Sequence, residues 1–425
     1  MNILLLGSGG REHTLAWKLS KSKLCNKLYI APGNAGTIEY GENVSIDPND
    51  FDAISHFSIL NNISLVVVGP EEPLVNGIYD FFKSKEQLNH ISILGPSREG
   101  AQLEGSKHFA KDFMYRHGIP TAAYKTFNRE QINDAAAFLS SLKPPYVIKA
   151  NGLAAGKGVV IVDEYEEALE QVKDMLLNKR FGAASDTIVI EEFLKGIELS
   201  VFVLTDGKEW VLLPEAKDYK RIGENDTGPN TGGMGSISPV PFADKDFMQK
   251  VKDLIIAPTI KGLQTDNIDY NGFIFFGLIN VDSKPYVIEY NVRLGDPETE
   301  SVIPRIKSDI VQTLNECANG NLVNKTIEID VRSAATVMLV SGGYPNNYVK
   351  GYKITDLKQD NPNTLIFHAG TTCVDENIVT AGGRVIAVTS LAKSVKEALA
   401  LSFEKAERIS FCEKYYRNDI GFDIL

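Results

Sequence analysis

Short apolar runs alternate with amphipathic stretches through the first hundred residues. Residues 2–6 are an apolar run that ends at Gly7-Ser8-Gly9-Gly10. From Arg11 to Ser22 the apolar positions His13, Leu15, Ala16 and Leu19 fall at helical spacing. Lys27 to Ala31, Leu65 to Val68 and Ile91 to Leu94 are three further apolar runs of strand length. Strands alternating with helices predict a parallel sheet. Gly105-Ser106-Lys107 opens a helix that runs to about Arg116, and Gly118-Ile119-Pro120-Thr121 ends it. Pro145 to Lys149 and Gly158 to Val162 read as strands around a glycine-rich hairpin tip. Glu166 to Lys179 is an amphipathic helix, and Thr187 to Phe193 and Leu199 to Leu204 are strands. Residues 217–239 are polar and glycine-rich, which predicts a long loop of the kind that usually carries function. Phe273 to Val281 forms a hairpin with the next strand through Asp282-Ser283-Lys284. Near the end, Thr336 to Val340 and Arg384 to Val388 read as strands and Ser394 to Ile409 as an amphipathic helix.

The stretch Val287 to Glu298, VIEYNVRLGDPE, carries the densest chemistry. Strand side chains alternate faces. Val287, Glu289, Asn291 and Arg293 are therefore expected on one face, and Ile288, Tyr290, Val292 and Leu294 on a core-facing one. A carboxylate, an amide oxygen and a guanidinium in a row suit a hard cation followed by an anion clamp. Mg²⁺ is usually held by one or two protein oxygens plus substrate phosphates, and arginine forks onto carboxylate or phosphate. A solvated edge strand with a chance ion pair explains the three residues equally well. The GDPE turn and the loops below tip the balance toward a site.

Composition narrows the class. At 425 residues, 43% hydrophobic and 23% charged, the chain has ample core for two to four domains. No apolar run approaches the roughly 20 residues that span a bilayer, and the N-terminus lacks the pattern of a signal peptide. Cys25, Cys317, Cys373 and Cys412 are scattered, which argues against a disulfide framework or structural zinc and fits a reducing cytoplasm. A net charge of −11 without a basic run argues against nucleic acid as partner. Phosphates would have to be met by local Lys, Arg and backbone N–H groups.

The first glycine turn, at a helix N-terminus, favours phosphate. A dinucleotide is disfavoured: position 12 is Glu where the fingerprint needs a third glycine, and Ala31-Pro32-Gly33-Asn34 stands where a ribose-binding acid is needed. Two more strand-end loops, Pro32 to Thr37 and Gly69 to Leu74, point to a small phosphorylated substrate at the carboxyl ends of the strands. The stretch Ala150-Asn151-Gly152-Leu153-Ala154-Ala155-Gly156-Lys157 is not a Walker A loop. It has three residues between its glycines, Gly158 after the lysine, and strands on both sides. It reads as a hairpin tip that folds over phosphates, with Lys149 and Lys157 as counter-charges.

Taken in order, a two-lysine hairpin, an EEFL strand end and a Glu-x-Asn-x-Arg strand resemble the ATP-grasp carboxylate–amine ligases. Within that superfamily the chain resembles the phosphoribosylamine–glycine ligase (glycinamide ribonucleotide synthetase) family. The matching motifs are GSGGREH at 7–13, APGNAGT at 31–37, VVGPEEPLV at 67–75, QLEGSK at 102–107, IKANGLAAGKGVV at 148–160, DTGPNTGGMG at 226–235, RLGDPETE at 293–300 and AGGRV at 381–385. They span nearly the whole chain.

The resemblance implies an α/β and α+β multidomain fold: a Rossmann-like pre-ATP-grasp domain over 1–103, an ATP-grasp domain over 104–326 with a mobile lid at about 122–190, and a C-terminal β-rich domain over 327–425. It implies ATP-dependent ligation of glycine to 5-phosphoribosylamine through glycyl phosphate, the second step of purine (IMP) synthesis. Lys107, Lys149 and Lys157 would meet ATP phosphates, Glu191 and Leu194 the adenine, and Glu198 the ribose. Glu289 and Asn291 would hold Mg²⁺, with Mn²⁺ as the alternative. Arg293 would face the glycine carboxylate or acyl phosphate, and Lys157, Arg293 and Asp296 form the expected catalytic set. Gly9, Gly10, Asn34 and Glu71 are the candidates for phosphoribosylamine, and Asp218 and Asp296 for amine contacts. Phe273 to Val281 lacks the second acidic metal ligand that many relatives carry there. A cytoplasmic, monofunctional monomer is expected, with a dimer as the alternative and no membrane or nucleic-acid partner. The rivals are another ATP-grasp ligase with different substrates, an oxidoreductase on the first sheet, and a non-catalytic nucleotide sensor.

Overall fold

The computed structural model describes residues 1–154, 156–323 and 325–424. Strands β1 (Asn2–Gly7), β2 (Lys27–Pro32), β3 (Glu42–Asn43), β4 (Ile63–Val68) and β5 (Ser92–Leu94) form the expected parallel sheet, in the order β3-β2-β1-β4-β5. Its runs are apolar on both faces because both are covered. Ile3, Leu5 and Val67 pack with Phe202, Phe275 and the helix Ile310–Ala318. Leu4, Leu6 and Val66 pack with Phe113, Ile274 and Tyr290. The first sheet therefore shares both of its cores with the central sheet described below. Chain direction across the sheet switches between β1 and β4, so a crevice opens at their carboxyl ends.

The stretch expected as a loop after β4 turns helical at once, as Glu71–Asn76. Pro70 is its N-cap, two glutamates occupy its first turn, and Gly77 closes it in the left-handed conformation at φ 90°. Acidic first turns suit the helix dipole, and proline is tolerated in a first turn.

Strands β6 (Tyr124–Asn128), β7 (Tyr146–Ala150), β8 (Val159–Val162) and β9 (Thr187–Glu192) form an antiparallel sheet in the order β6-β9-β7-β8. With the helices Ile132–Ser141 and Tyr165–Asn178 it encloses a core of its own around Ile148, Ile190 and Val172. The β7–β8 hairpin carries the glycine-rich tip, of which Ala155 lies outside the described residues.

Next come β10 (Ile197–Thr205) and β11 (Trp210–Leu212), then β12 (Lys217–Asp218), β13 (Arg221–Gly223), β14 (Thr227–Asn230) and β15 (Gly235–Ser238). Residues 217–239 are thus not the structureless loop their composition predicts. β13 and β14 form a hairpin, while β12 pairs with β15. Four short strands with weak intrinsic preference are set by their partners, and tertiary context overrides propensity here.

β16 (Gly272–Val281) and β17 (Lys284–Asn291) complete the central antiparallel sheet, β11-β10-β16-β17. Its register carries a correction. Gly277 faces Glu289 but Leu278 faces Val287, so Ile288 is a bulge residue. One extra residue inverts the alternation on one side of it. Val287 is fully buried in the core with Tyr290, and Ile288 turns with Glu289 toward the cleft instead.

The remaining strands are β18 (Ser333–Val340), β19 (Thr364–His368), β20 (Thr371–Val374), β21 (Asn377–Thr380) and β22 (Arg384–Ala392). The last sheet has the order β12-β15-β18-β22-β19, so it is completed by two strands from far earlier in the chain. The helix Val395–Arg408, capped by the Ser394 hydroxyl accepting from the Glu397 N–H, packs its apolar side on this sheet. Among the described residues no helix is long and apolar enough to cross a membrane.

The bulge is testable by paired substitutions. Val287→Asn should destabilise by roughly 3 kcal/mol, from lost burial and an unpaired amide. Ile288→Asn should cost less than half of that. Equal losses in thermal midpoint would return Val287 to the cleft-facing side.

Candidate active site

A cleft of about 1080 Å³ opens where the first sheet, the β6–β9 sheet, the central sheet and the last sheet meet. Its floor is the β17 strand end. Glu289 and Asn291 face in from there, and Gly277, opposite Glu289, leaves room where a side chain would press on the Glu289 stem at 3.1 Å. The Asn291 oxygen accepts from Arg293 Nη2 at 3.1 Å, while its Nδ2 is buried without a partner. Among the described residues no group of three or more His, Cys, Asp or Glu converges as a metal cage. One carboxylate and one amide oxygen in a cleft rich in lysines fit Mg²⁺ or Mn²⁺ shared with phosphates, and do not fit zinc.

Arg293 is gripped by acids. Its Nη2 donates to Glu104 at 2.8 Å and its Nε lies 3.5 Å from Glu71. The other Glu104 oxygen accepts from the Val292 N–H at 2.8 Å. Burial raises the Glu104 carboxyl in spite of Arg293. At the more open Glu71, burial works the same way, but Arg293 and Arg11 outweigh it and hold the group below its ordinary value.

The nucleotide-facing residues come together differently from the sequence expectation. Glu191 is buried and takes two ion pairs, from Lys149 and Lys111, each at 2.9 Å. Its carboxylate is therefore locked by lysines rather than exposed toward a base. Leu194, past the end of β9, does line the cleft. Lys107, first residue of the helix Lys107–Arg116, donates to the Gly152 carbonyl at 3.2 Å, and burial lowers its pKa. Lys111 lies one turn on, on the same face, and burial brings it to about 8. That i, i+4 spacing was the available signal for a residue that motif reading missed. Glu198 is held by Lys220 at 2.5 Å. Lys157 is exposed on the hairpin tip and stands outside the cleft wall.

At the first sheet, Glu12 explains the missing third glycine. Its carboxylate accepts from the Gly9 N–H at 2.7 Å and pairs with Arg11 at 2.6 Å. A Cβ on Gly7 or Gly69 would strike it. An acid stands where dinucleotide enzymes have a third glycine beside the pyrophosphate, which argues against the oxidoreductase rival. Gly9 and Glu71 line the cleft. Gly10 and Asn34 do not: Gly10 packs on Glu300, and Asn34 is buried with its amide donating to Ser8 and His368 carbonyls at 2.8 and 2.9 Å. Asn34 ties the glycine turn to the last sheet.

Asp218 and Asp296 both line the cleft, and Asp296 pairs with Arg384 at 3.0 Å. Glu298, two residues beyond Asp296, also faces in and accepts from Ser200 at 3.0 Å. Burial and the neighbouring Asp218 push it up to about 7. It sits inside the RLGDPETE motif, but strand periodicity could not single it out because the chain has turned helical there, over Glu298–Val302.

Comparison with known proteins gives a full-length match. Family profiles described as phosphoribosylglycinamide synthetase N domain, ATP-grasp (A) domain and C domain match residues 1–104, 105–299 and 334–423. The chain is 43% identical over 426 residues to a phosphoribosylamine–glycine ligase of Fusobacterium nucleatum, covering 99% of this chain and 98% of that one. It is 44% identical to a bifunctional purine biosynthetic protein of Schizosaccharomyces pombe, of whose length it spans only 53%, about half. A crystal structure of phosphoribosylamine–glycine ligase from Thermotoga maritima is similar with a TM-score of 0.84 at 36% identity, covering 99% of this chain and 100% of that one.

Glu298 sets a pH dependence. An acid whose pKa rises from 4.5 to about 7 on folding favours the folded state below pH 4.5 and loses that contribution as pH climbs through 7. Glu298→Gln keeps the acceptor for Ser200 and removes the titration. Its stability relative to wild type should rise by roughly 1–3 kcal/mol between pH 5 and pH 8, read as a widening gap in thermal midpoint. A gap that does not change with pH would show that Glu298 does not titrate between pH 5 and pH 8.

Proposed function

The chain belongs to the phosphoribosylglycinamide synthetase family, and from that premise we propose that it ligates glycine to 5-phosphoribosylamine with conversion of ATP to ADP and phosphate. The product is glycinamide ribonucleotide, and the step belongs to purine (IMP) biosynthesis. One observation carries the reading. A single cleft sets an oxygen pair for a divalent cation and a cluster of lysines beside the strand ends of the first sheet, so phosphoryl donor and amine acceptor share one chamber.

A carboxylate does not acylate an amine at neutral pH, because its oxygen leaves poorly. The glycine carboxylate therefore attacks the γ-phosphorus of ATP. ADP leaves, and glycyl phosphate forms. The amine of phosphoribosylamine then attacks the carbonyl carbon, loses a proton, and phosphate departs. Positioning and charge neutralisation supply most of such a phosphoryl transfer. Lys107 and Lys149 are assigned to the phosphates, with Lys157 on the tip above them. Glu289 and Asn291 would hold Mg²⁺, which when bound neutralises phosphate charge. Leu194 and the Glu191 strand end are assigned to adenine, Glu198 to ribose, and Arg293 to the glycine carboxylate. Asp218 and Asp296 are assigned to amines, and the Gly9 turn with Glu71 to phosphoribosylamine. The hairpin tip at 150–158 has a chemical purpose, since acyl phosphate hydrolyses in water. The domain limits we propose are 1–103, 104–326 and 327–425, with 122–190 as lid. A cytoplasmic monomer acting on small molecules is consistent with the acidic surface and the scattered cysteines.

The test is ADP release with Mg²⁺, ATP and glycine, with and without phosphoribosylamine generated in situ. Release requiring both substrates is expected. Release with a different carboxylate or amine would keep the ATP-grasp chemistry and discard the substrates. Glu289→Ala should lower metal-dependent turnover by at least about 100-fold, and Lys157→Ala should lower turnover while the thermal midpoint holds. Full activity of Glu289→Ala at ordinary Mg²⁺ would remove that residue from the metal site.

A further inference from the structure

Arg384 opens β22 in the last sheet, yet its guanidinium ends in the cleft. Its Nη1 donates to the Gly232 carbonyl at 2.5 Å and to the Asp296 carbonyl at 2.6 Å, and its Nη2 lies 3.0 Å from the Asp296 carboxylate. The fork thus holds the backbone and the side chain of one aspartate together. Gly232 leaves no room for a Cβ, which would sit 2.9 Å from the guanidinium carbon. The Tyr344 hydroxyl accepts from the Gly232 N–H at 2.9 Å, a second tie from the C-terminal part to the same segment.

Asp296 is fixed from two other sides. Its Oδ2 accepts from the Arg11 N–H at 3.3 Å, at the N-terminus of the first helix, and stands 3.2 Å from where a Gly9 Cβ would be. Behind it Glu300 is wholly buried, and neither Glu300 oxygen has a donor. Burial and the neighbouring Asp296 push the Glu300 carboxyl well above the usual carboxylate range. Asp296 thus faces the turn after β1 alongside Glu12, and its place is set by Arg11 and Arg384 from two distant segments and by Glu300 one turn on.

We propose that Arg384 is a positioning residue: from the C-terminal sheet it fixes the Asp296 carboxylate against the Gly9 turn, and so sets the geometry of the pocket for the phosphorylated amine. The inference rests on the function proposed above. It gives the last sheet a part in substrate recognition. A guanidinium suits this place better than an ammonium, because one nitrogen serves two carbonyls while the other stands beside the carboxylate as its ion-pair partner. The competing reading is that Arg384 only glues the last sheet to the rest.

The experiment compares wild type with Arg384→Met and Arg384→Lys. KM for each substrate, kcat, the Kd for ribose 5-phosphate by calorimetry, and the thermal midpoint are measured. For Arg384→Met, kcat/KM for phosphoribosylamine should fall about 100-fold, the scale of a misplacement near 1 Å. KM for ATP should change less than about 3-fold, and ribose 5-phosphate should bind at least about 10-fold more weakly. Arg384→Lys should recover little of this, because it keeps charge without the fork, and methylguanidinium should partly restore Arg384→Met. Equal losses for all three substrates that track the thermal midpoint, full recovery by Lys, or unchanged kcat/KM would overturn the inference. Wild type without turnover would instead overturn the functional reading. The ribose 5-phosphate comparison still decides in that case, and a wild type that fails to bind it overturns both.

Discussion

A charge taken out of water must be neutralised close by, or its desolvation outweighs what folding gains from its contacts. The cleft buries lysines and arginines together, and the partners that neutralise them come from elsewhere in the chain. Lys111, on a helix after the first sheet, meets Glu191 of the β6–β9 sheet. Arg293 of the central sheet meets Glu104 just before that helix and Glu71 at the first sheet. Arg384 of the last sheet meets Asp296 of the central turn. The pairs that keep the cleft electrically tolerable also define how its parts meet. At Lys111, Arg293 and Arg384 an incoming anion finds cations already paired. It finds cations whose present partners it must share, which makes occupancy and local geometry interdependent.

Strands with an apolar period were legible in the sequence. The parallel pairing of the first sheet, the β7–β8 hairpin, the β16–β17 hairpin and the last helix could all be placed from local pattern alone. The misses share one cause. Ile288 is a bulge only because Leu278 pairs with Val287 across the hairpin, which no local pattern records. Residues 217–239 look like loop because their strands are made by partners, one of them about 100 residues away at β18. Local composition describes what a segment tolerates, and pairing decides what it does.

The site was legible by type more than by contact. Glu289, Asn291, Arg293 and Lys149 were singled out by residue chemistry and spacing and Lys107 by the family resemblance, and all line one cleft. Asn34 was expected there for its motif, and its amide proves committed to carbonyls of the glycine turn and of His368. The buried acids Glu104, Glu298 and Glu300 escaped because an isolated glutamate in a sequence carries no mark of its burial. Glu12 was read as an absence, the lack of a glycine. In the structure it is a presence, a carboxylate that accepts from the Gly9 N–H.

β15 lies between β12 and β18, so a stretch from the middle of the chain finds its hydrogen-bonding neighbour only in the final hundred residues. On the ribosome that stretch emerges long before its partner. Until β18 appears, β15 is an unsatisfied strand edge, open to wrong pairing of the kind that seeds aggregation. The Gly232 segment that leads into it cannot settle either, since Arg384 and Tyr344 are made later still. The chamber is therefore finished from its last-made wall. A nascent chain that has made its first and central sheets has not yet built the sheet that closes this side of the cleft.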